Sequence, residues 1–463
     1  MSKKIKKGED TITAIATPLG EGGIGIIRVS GEKAFALLKK IFVPKNKKLK
    51  TFQSHRVYLG NLISSQKEIL DEVLINVMHA PKTYTTEDMI EINCHGGIEV
   101  LKGILQEILQ YKGIRLAEPG EFTKRAFLNG RLDLMQAEAV IDLIQAKSQI
   151  ALKSAARQLQ GKGSKKINQI KDSLVDVISP LEASLDFPED VTETPYKAIA
   201  DSVDKIMKIL AKDLEQLRKI RFVKQGIRIA IVGRANAGKS TLLNAILGRE
   251  RAIVTSIPGT TRDTLEEPFK IEGIPVIIVD TAGLREAKET IEKEGVKRAE
   301  IEIKEADLVL YVVDISKKDN QDLKLISRYT PDKETIFVIN KIDLTHSLDI
   351  KKLKIKDDSA IFVSAKNEIG IIELKDTIRD FIVRKKTNIL EEDLIASNIR
   401  HEENIVQALE SLEKAREASE SELSEEFILF DLKNALNSLG KITGEVTSDD
   451  ILDKIFSQFC IGK

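Results

Sequence analysis

The sequence predicts a multidomain α/β protein in which a domain of alternating strands and helices is inserted into a helical region. The chain has 463 residues, which is longer than one ordinary hydrophobic core organises. Strand-like and helical segments alternate between residues 223 and 384, whereas the segments on both sides have only helical spacing. Residues 1–125 show a third pattern, in which strands and helices are mixed.

The overall charge and composition exclude several classes of protein. Lys plus Arg and Asp plus Glu both number 72, so the net charge is zero and no surface-wide basic field for nucleic acid is expected. Any RNA contact must therefore be local. Cys94 and Cys460 lie too far apart in the chain to indicate a metal motif or a disulfide framework. Neither a secretory signal nor a long apolar run is present, so we expect a cytoplasmic protein that does not associate with membranes.

Residues 1–125 are predicted to form an α+β domain. Their short apolar runs are rich in β-branched residues, which is typical of strands. Two intervening segments have apolar residues at helical spacing. The predicted strands are Thr11–Thr17, Gly25–Val29, Glu72–Met78 and Met89–Cys94, and the predicted helices are Glu32–Phe42 and Ile98–Leu109.

Helical spacing dominates residues 126–222 and returns in residues 385–463. A helical run that ends near Leu159 is expected to be broken by Gly161 and Gly163. Because domain termini commonly lie close together, an α/β unit can be inserted into helices without disrupting their packing. We therefore predict one discontinuous helical domain around an insertion at 223–384. Its further helices are expected at Ile167–Leu185, Ala198–Phe222, Ile389–Ala415, Phe427–Leu439 and Asp449–Phe459.

Residues 223–384 are predicted to form a doubly wound α/β domain. Five apolar runs alternate with helical segments, and this order builds a parallel sheet covered by helices. The predicted strands are Ile227–Val232, Pro275–Val279, Leu308–Val313, Thr335–Ile339 and Ala360–Val363.

The run from Gly233 to Ser240 follows the first of these strands and precedes a helix. It matches G-x-x-x-x-G-K-[ST], a pattern whose main-chain N–H groups surround phosphates while the helix N-terminus faces their charge. In this arrangement Lys239 would reach the β and γ phosphates, and the Ser240 hydroxyl would hold Mg²⁺. The run therefore predicts a nucleotide phosphate site.

Four further stretches occur in the order that a guanine-nucleotide site requires. They are Gly259–Asp263, Asp280–Gly283, Asn340–Asp343 and Ser364–Lys366. Thr260 and Thr261 can supply a hydroxyl to Mg²⁺ and sense the γ phosphate, and Gly283 can offer an N–H to that phosphate. The Asp343 carboxylate only accepts hydrogen bonds, so it can take two donors from guanine that adenine cannot offer. Together these stretches predict a Ras-like domain that binds GTP.

The position after Gly283 holds Leu284, which cannot orient an attacking water as the glutamine of Ras-type GTPases does. Either turnover is negligible and the domain is a switch, or a cation and a carboxylate from elsewhere supply the missing groups. Asn236 is a candidate oxygen ligand for such a cation. Four acids in the following charged segment cannot be separated by their chemistry: Glu286, Glu289, Glu292 and Glu294.

At this point the residues resemble the MnmE family, also called TrmE, of bacterial tRNA-modifying GTPases. The resemblance runs nearly end to end and includes the five nucleotide motifs. Two positions depart from the family pattern: Arg131 stands where Lys is expected, and Ala235 replaces the usual Pro of the glycine loop. The other stretches that carry the resemblance are Ala16–Pro18, Gly22–Gly31, Glu91–Gly97, Pro119–Asn129, Leu132–Leu134 and Phe459–Lys463.

The resemblance implies a cytoplasmic homodimer that works with an FAD-containing partner, MnmG. Together they would add an aminomethyl or carboxymethylaminomethyl group to the wobble uridine of certain tRNAs. The one-carbon unit would come from a tetrahydrofolate derivative, in its 5-formyl or 5,10-methylene form, bound by the first domain, which also makes the dimer. K⁺ at the glycine loop would act where an arginine finger otherwise does. The alternative is a GTPase switch in ribosome assembly or translation.

The resemblance also implies roles for particular residues. Glu292 would orient the water, with Lys239 and Asn236 as the other catalytic residues. The folate contacts would be Arg28, Glu91, Arg131 and Lys463, whose mixed charges suit a pterin-like donor face and a glutamate tail.

The implied metal ligands belong to the same nucleotide site. K⁺ would be held by Asn236, Thr255, Ile257 and Thr260, and Mg²⁺ by Ser240 and Thr261. The full set of implied GTP-binding residues is Asn236, Ala237, Gly238, Lys239, Ser240, Thr241, Thr255, Ser256, Ile257, Pro258, Gly259, Thr260, Thr261, Asp280, Thr281, Ala282, Gly283, Asn340, Lys341, Asp343, Ser364, Ala365 and Lys366.

Overall fold

The computed structural model describes residues 10–146, 148–187, 189, 194–225, 227–234, 236–247, 267–271, 274–280, 306–316, 334–344, 360–387 and 398–463. The chain divides into two compact units. The first comprises residues 1–144, 156–208 and 403–463, and the second comprises residues 145–155 and 209–402. No helix within the described ranges is long and apolar enough to cross a bilayer.

A seven-stranded sheet occupies the amino-terminal part of the first unit. Its strands are β1 (Thr11–Ile15), β2 (Gly25–Ser30), β3 (Phe42–Pro44), β4 (Arg56–Ile63), β5 (Ile69–Met78), β6 (Met89–Cys94) and β7 (Ile114–Leu116). The strand order is β3-β4-β5-β6-β2-β1-β7. Only β1 and β7 pair in parallel, and all other neighbours are antiparallel.

One face of this sheet packs on helices α1 (Ala34–Ile41) and α2 (Ile98–Leu109). Side chains on a strand point alternately to its two faces, so every second apolar residue enters the core. Ile27, Ile75 and Ile92 are fully buried there. Burial of these side chains stabilises the strands that carry the predicted folate residues.

Helices follow this sheet in the chain and return in its carboxyl-terminal part. The amino-terminal set is α3 (Glu121–Leu128), α4 (Leu134–Gln145), α5 (Gln149–Leu159), α6 (Lys162–Asp186) and α7 (Tyr196–Gln225), and the carboxyl-terminal set is α10 (Ile399–Glu420), α11 (Glu425–Thr443) and α12 (Asp449–Phe456). Phe456 and Phe459 pack with Ala126 of α3 in one buried cluster, which fixes the end of the chain against the amino-terminal domain.

Helices α6 and α11 lie side by side although the α/β insertion separates them in sequence. Lys433 Nζ lies 2.7 Å from Glu182 Oε1, and Ser184 contacts Glu425. Near their opposite ends, Lys171 forms an ion pair with Glu445. The prediction of a discontinuous helical region around an inserted α/β unit is thereby confirmed.

A six-stranded sheet forms the centre of the second unit. Its strands are β8 (Ile227–Gly233), β9 (Glu267–Ile271), β10 (Ile274–Asp280), β11 (Leu308–Asp314), β12 (Thr335–Asn340) and β13 (Ala360–Val363), in the order β13-β12-β11-β8-β10-β9. Only β9 is antiparallel to its neighbour. Helices α8 (Lys239–Leu247) and α9 (Ile371–Thr387) pack on the sheet, and their apolar residues Leu242 and Leu374 lie in its main core.

The five strands predicted for the insertion are confirmed, because fully apolar runs such as β11 can be buried on both faces. Strands β3, β4, β7 and β9 were not predicted. Val57 and Leu59 of β4 are exposed and Gly60 interrupts its pattern, so pairing with β5 establishes the strand. The expected helix break at Gly163 is wrong, since α6 already begins at Lys162.

Candidate functional site

The glycine loop lies between β8 and the first turn of α8. Gly238 has a φ of 95°, and a Cβ atom there would lie 2.3 Å from Asn340 Nδ2, so only glycine fits. Asn236 also has a left-handed backbone, with φ 63°. The resulting cradle at a helix N-terminus suits a phosphate group.

Lys239 is buried within this loop. Its Nζ donates to the main-chain oxygens of Gly233 and Arg234, both at 2.8 Å. These contacts place the ammonium group inside the curve of the loop, where a phosphate would meet it. Ser240 follows on the exposed side of α8. Both residues therefore lie at the N-terminus of α8, and their roles toward phosphate and Mg²⁺ stay predictions.

Asn340, at the end of β12, connects the glycine loop to the segment after β13. Its Nδ2 donates to the Ala237 oxygen at 2.9 Å, and its Oδ1 accepts from the Ala365 N–H at 3.0 Å. The side chain is 2% exposed. Asn340 therefore fixes the glycine loop and the segment after β13 relative to each other.

Lys341 makes a second connection to the same loop. Its Nζ donates to the main-chain oxygen of Asn236 at 2.7 Å and to Asp314 Oδ2 at 2.7 Å. Although burial raises the pKa of the Asp314 carboxyl, hydrogen bonds from Lys341 and Ser316 outweigh it and hold that pKa below its ordinary value. Asp314 therefore stays ionised and retains the ammonium. The sequence analysis missed Asp314, which directly follows the predicted strand Leu308–Val313.

Asp343 lies in a short 3₁₀ helix, Ile342–Leu344. Its Oδ1 accepts a hydrogen bond from the buried hydroxyl of Ser364 at 2.6 Å, while the residue itself is exposed. A carboxylate held in this way can present its acceptors to the donors on the guanine edge. The hydrogen bond joins the fourth and fifth nucleotide motifs, Asn340–Asp343 and Ser364–Lys366.

Much of the predicted switch and metal machinery lies outside the described residues. Of Asp280 only the backbone is described, as the last residue of β10. The remaining predicted residues outside the described ranges are Thr255, Ser256, Ile257, Pro258, Gly259, Thr260, Thr261, Thr281, Ala282, Gly283 and Glu292.

A second cluster of predicted residues lies in the first unit, around Arg28. Arg28 and Glu91 are paired across β2 and β6. Arg28 Nε donates to Glu91 Oε1 at 2.9 Å, and Nη2 lies 2.8 Å from the same oxygen. Arg28 Nη1 also donates to the main-chain oxygen of Gly462 at 3.0 Å. The pair is largely shielded from solvent, with side-chain exposures of 14% and 21%.

The carboxyl-terminal segment brings Lys463 to this cluster. The Phe122 N–H donates to the Lys463 oxygen at 3.2 Å. Burial, and then the like charge of Arg28, lower the pKa of the Lys463 amine, against the opposing effect of Glu91. The cluster thus combines two cationic groups with one carboxylate.

Arg131 joins the cluster through an aromatic side chain. Its guanidinium carbon lies 4.8 Å from the centre of the Tyr84 ring, and that of Arg28 lies 5.7 Å from the same centre. Phe122 faces Arg28 as well, at 5.6 Å. Neither aromatic residue was predicted, because no local sequence pattern relates Tyr84 or Phe122 to Arg28.

This chain is similar to known proteins along nearly its whole length. The family model of the GTP-binding protein TrmE N-terminus matches residues 11–131, and that of the MnmE helical domain matches residues 134–460. The tRNA modification GTPase MnmE of Thermoanaerobacter sp. (strain X514) is 46% identical, covering 98% of this chain and 99% of that protein. That of Acetivibrio thermocellus is 44% identical with the same coverage.

The chain belongs to the MnmE family.

Among solved structures, the G domain of the T. maritima FeoB iron transporter is 25% identical over 34% of this chain and 98% of that domain, with a TM-score of 0.27. The family models and the MnmE relatives confirm the predicted fold class of this chain and its identification as a GTP hydrolase.

The two cysteines of the MnmE-family chain differ in environment. Cys94 is buried on β6, and its thiol donates to the Gly25 oxygen at 3.3 Å. Burial, and then the nearby charge of Asp71, raise the pKa of the Cys94 thiol to about 11, so it is not a nucleophile at neutral pH. Cys460 is exposed beside Lys463 and the Arg28 cluster.

Proposed function

We propose that this MnmE-family GTPase is activated by K⁺ and works with an FAD-containing MnmG partner on tRNA. The pair adds a (carboxymethyl)aminomethyl group to C5 of the wobble uridine, with a tetrahydrofolate derivative as the one-carbon donor. The observation that carries the nucleotide part is the double attachment of the glycine loop to Asn340 and Lys341.

The described residues fit GTP and its metal ions by their chemistry. Gly238 allows the loop to approach Asn340 closely, which holds the loop at the N-terminus of α8, where a phosphate is favoured. Ser240 offers an exposed hydroxyl on the first turn of α8, which suits Mg²⁺. The fixed carboxylate of Asp343 suits guanine. These features support GTP as the nucleotide.

K⁺ activation is supported by Asn236. Its amide offers an oxygen, it is exposed, and its left-handed backbone is fixed by the hydrogen bond from Lys341 to its carbonyl. A bound K⁺ would supply positive charge at the transferred phosphoryl group, as an arginine finger does. We propose that main-chain oxygens of Thr255, Ile257 and Thr260 complete this site.

Folate binding is supported by the Arg28 cluster. Glu91 offers a carboxylate to donors on a pterin-like ring, while Arg28 and Lys463 offer cations to anionic groups. Tyr84 and Phe122 provide flat apolar surfaces beside them. A ligand that has an aromatic donor face and a carboxylate tail matches this set of groups.

The proposal assigns a task to each part of the chain. Residues 1–125 bind folate and form the homodimer, the helical residues 126–222 and 385–463 hold the catalytic domains in relation to MnmG and tRNA, and residues 223–384 hydrolyse GTP. Glu292 orients the attacking water, and the protein works in the cytoplasm.

Comparison of GTP hydrolysis in potassium and sodium salts at equal ionic strength tests the cation. We expect turnover to rise about tenfold or more in K⁺, since the charge of an arginine finger is worth ~10³–10⁵ in kcat. Asn236→Ala should remove the rise while GTP binding survives, and Glu292→Ala should lower turnover in both salts. Equal rates in the two salts would contradict K⁺ activation.

A profile of wobble uridines in tRNA from cells that lack the protein tests the modification. We expect unmodified uridine at that position, restored by the wild-type gene but not by Arg28→Ala. Intact modification together with accumulating ribosomal subunits would instead favour a GTPase switch in ribosome assembly.

A further inference from the structure

A cleft of about 580 Å³ opens next to Arg131 in the first unit. Its walls come from three segments, which contribute His55, Lys82 with Tyr84, and Asn129 with Arg131. We call it the Lys82 cleft. Its volume lies within the range of small-molecule binding sites.

The Lys82 cleft is lined by basic groups. Lys82, Arg131 and His55 are among the lining residues, whereas no Asp or Glu is. The nearby carboxylates have other partners: Glu87 accepts from Arg125 and Ser30. A concave surface that carries cations and no carboxylate attracts an anionic ligand.

Hydrogen bonds fix the wall of the cleft in place. Thr83 Oγ1 donates to the Glu87 oxygen at 2.7 Å, and Asn129 Nδ2 donates to the Thr85 oxygen at 2.7 Å. Arg131 Nη1 donates to the Tyr84 oxygen at 3.2 Å. Because the wall is already ordered, a ligand would not have to order it on binding.

The Lys82 cleft and the Arg28 cluster share Tyr84. The Tyr84 ring lines the cleft, lies 4.8 Å from the Arg131 guanidinium carbon and lies 5.7 Å from that of Arg28. A ligand bound at Arg28 and Glu91 can therefore extend past Tyr84 into the cleft. The part that enters must be extended and negatively charged.

We propose that the Lys82 cleft binds the γ-glutamyl tail of a polyglutamylated folate; this inference rests on the proposed folate site at Arg28 and Glu91. Each added γ-glutamyl residue brings one carboxylate, which Lys82 and Arg131 can receive as charge-assisted hydrogen bonds. An RNA backbone carries similar charge, but it is recognised along a broad basic surface rather than in a cleft of this size.

Calorimetry on the full-length protein tests the proposal, with 5-formyltetrahydrofolate carrying either one or five glutamates as the probe. The wild type should bind the pentaglutamate about tenfold more tightly, since two charge-assisted contacts together supply roughly that factor. Lys82→Gln should reduce this preference to about threefold or less, with little change in monoglutamate affinity. Lys39→Gln, on the exposed side of α1, is the matched control and should keep the preference.

The other possible results distinguish a wrong tail site from a wrong folate site. If the monoglutamate binds to the wild type but the pentaglutamate binds no better, the tail site is wrong and the folate site stands. If neither folate binds, the proposed folate site and the proposed tail site are both overturned. If Lys82→Gln weakens tRNA binding and leaves the pentaglutamate preference intact, the cleft belongs to RNA and the tail proposal fails.

Discussion

The ammonium of Lys341 lies 2.7 Å from Asp314 Oδ2 and 2.7 Å from the main-chain oxygen of Asn236. Asp314 ends β11 and is the register partner of Asn340, which ends β12. Two adjacent parallel strands therefore deliver the carboxylate and the lysine to the same edge of the sheet. Through Lys341, Asp314 positions the carbonyl of the residue that we propose as the K⁺ ligand.

Asp314→Asn should accelerate nucleotide release, because it removes the charge that holds Lys341. We expect GDP to dissociate about tenfold faster, which corresponds to a charge-assisted hydrogen bond that becomes weaker by about 1.4 kcal/mol. Stopped-flow release of a fluorescent GDP measures this rate. Asp376→Asn, at an exposed ion pair on α9, is the matched control. Unchanged release in Asp314→Asn would show that Lys341 does not depend on the carboxylate.

Glu91→Gln should weaken folate binding while the sheet stays folded. Glutamine fills the same space and can still accept from Arg28, but it cannot offer a charged acceptor to a pterin-like donor face. We expect about tenfold weaker binding of 5-formyltetrahydrofolate by calorimetry. Glu72→Gln, whose exposed carboxylate contacts Lys45, serves as the control. If the wild type and Glu91→Gln bind 5-formyltetrahydrofolate with equal affinity, the pterin-like ring does not bind at Glu91.

Gly462→Ala should displace the carboxyl-terminal segment. Gly462 has a φ of 95°, and a Cβ atom there would lie 2.4 Å from the Ile15 oxygen. The change would move the carbonyl that accepts from Arg28 and shift Lys463 with it. We expect loss of folate affinity without loss of GTP hydrolysis. Ile461→Ala, at an exposed neighbouring position, is the control and should retain folate affinity. Normal folate binding by Gly462→Ala would contradict the role of the carboxyl-terminal segment in the folate site.

Glu121→Gln should destabilise the first unit in a pH-dependent way. Burial raises the pKa of the Glu121 carboxyl, but the hydrogen bond from Arg115 and then contacts with the Glu118 N–H and Arg125 lower it below its ordinary value. Because the folded-state pKa is depressed, the stabilisation is present above the unfolded pKa of about 4.3 and is lost as pH falls through the folded value.

The measurement for Glu121 is the apparent melting temperature as a function of pH. At neutral pH we expect the variant to lose about 2 kcal/mol of unfolding free energy, as for a lost hydrogen bond between charged groups. The difference from wild type should shrink as pH falls below about 4. A difference that is constant with pH would mean that packing, rather than charge, is responsible. Glu99→Gln, with an exposed carboxylate on α2, controls for general charge effects.

The order of the nucleotide motifs was determined by the sequence alone. Gly233–Ser240, Asn340–Asp343 and Ser364–Lys366 are short and follow apolar strands, and local chain geometry is enough to place each at the end of a strand. The five buried strands of the insertion were predictable for the same reason, since a continuous apolar run indicates burial on both faces.

Tertiary structure decided which distant groups meet. Arg28 reaches Gly462 across 434 positions of the chain, and only the packing of Phe456 and Phe459 against α3 brings that segment to the sheet. Tyr84 lies in the connection between β5 and β6, and its ring faces both Arg28 and Arg131. Asp314 acquired its role from the register of two strands. Contacts of this kind depend on side-chain packing between separate elements, which no local pattern of residues encodes.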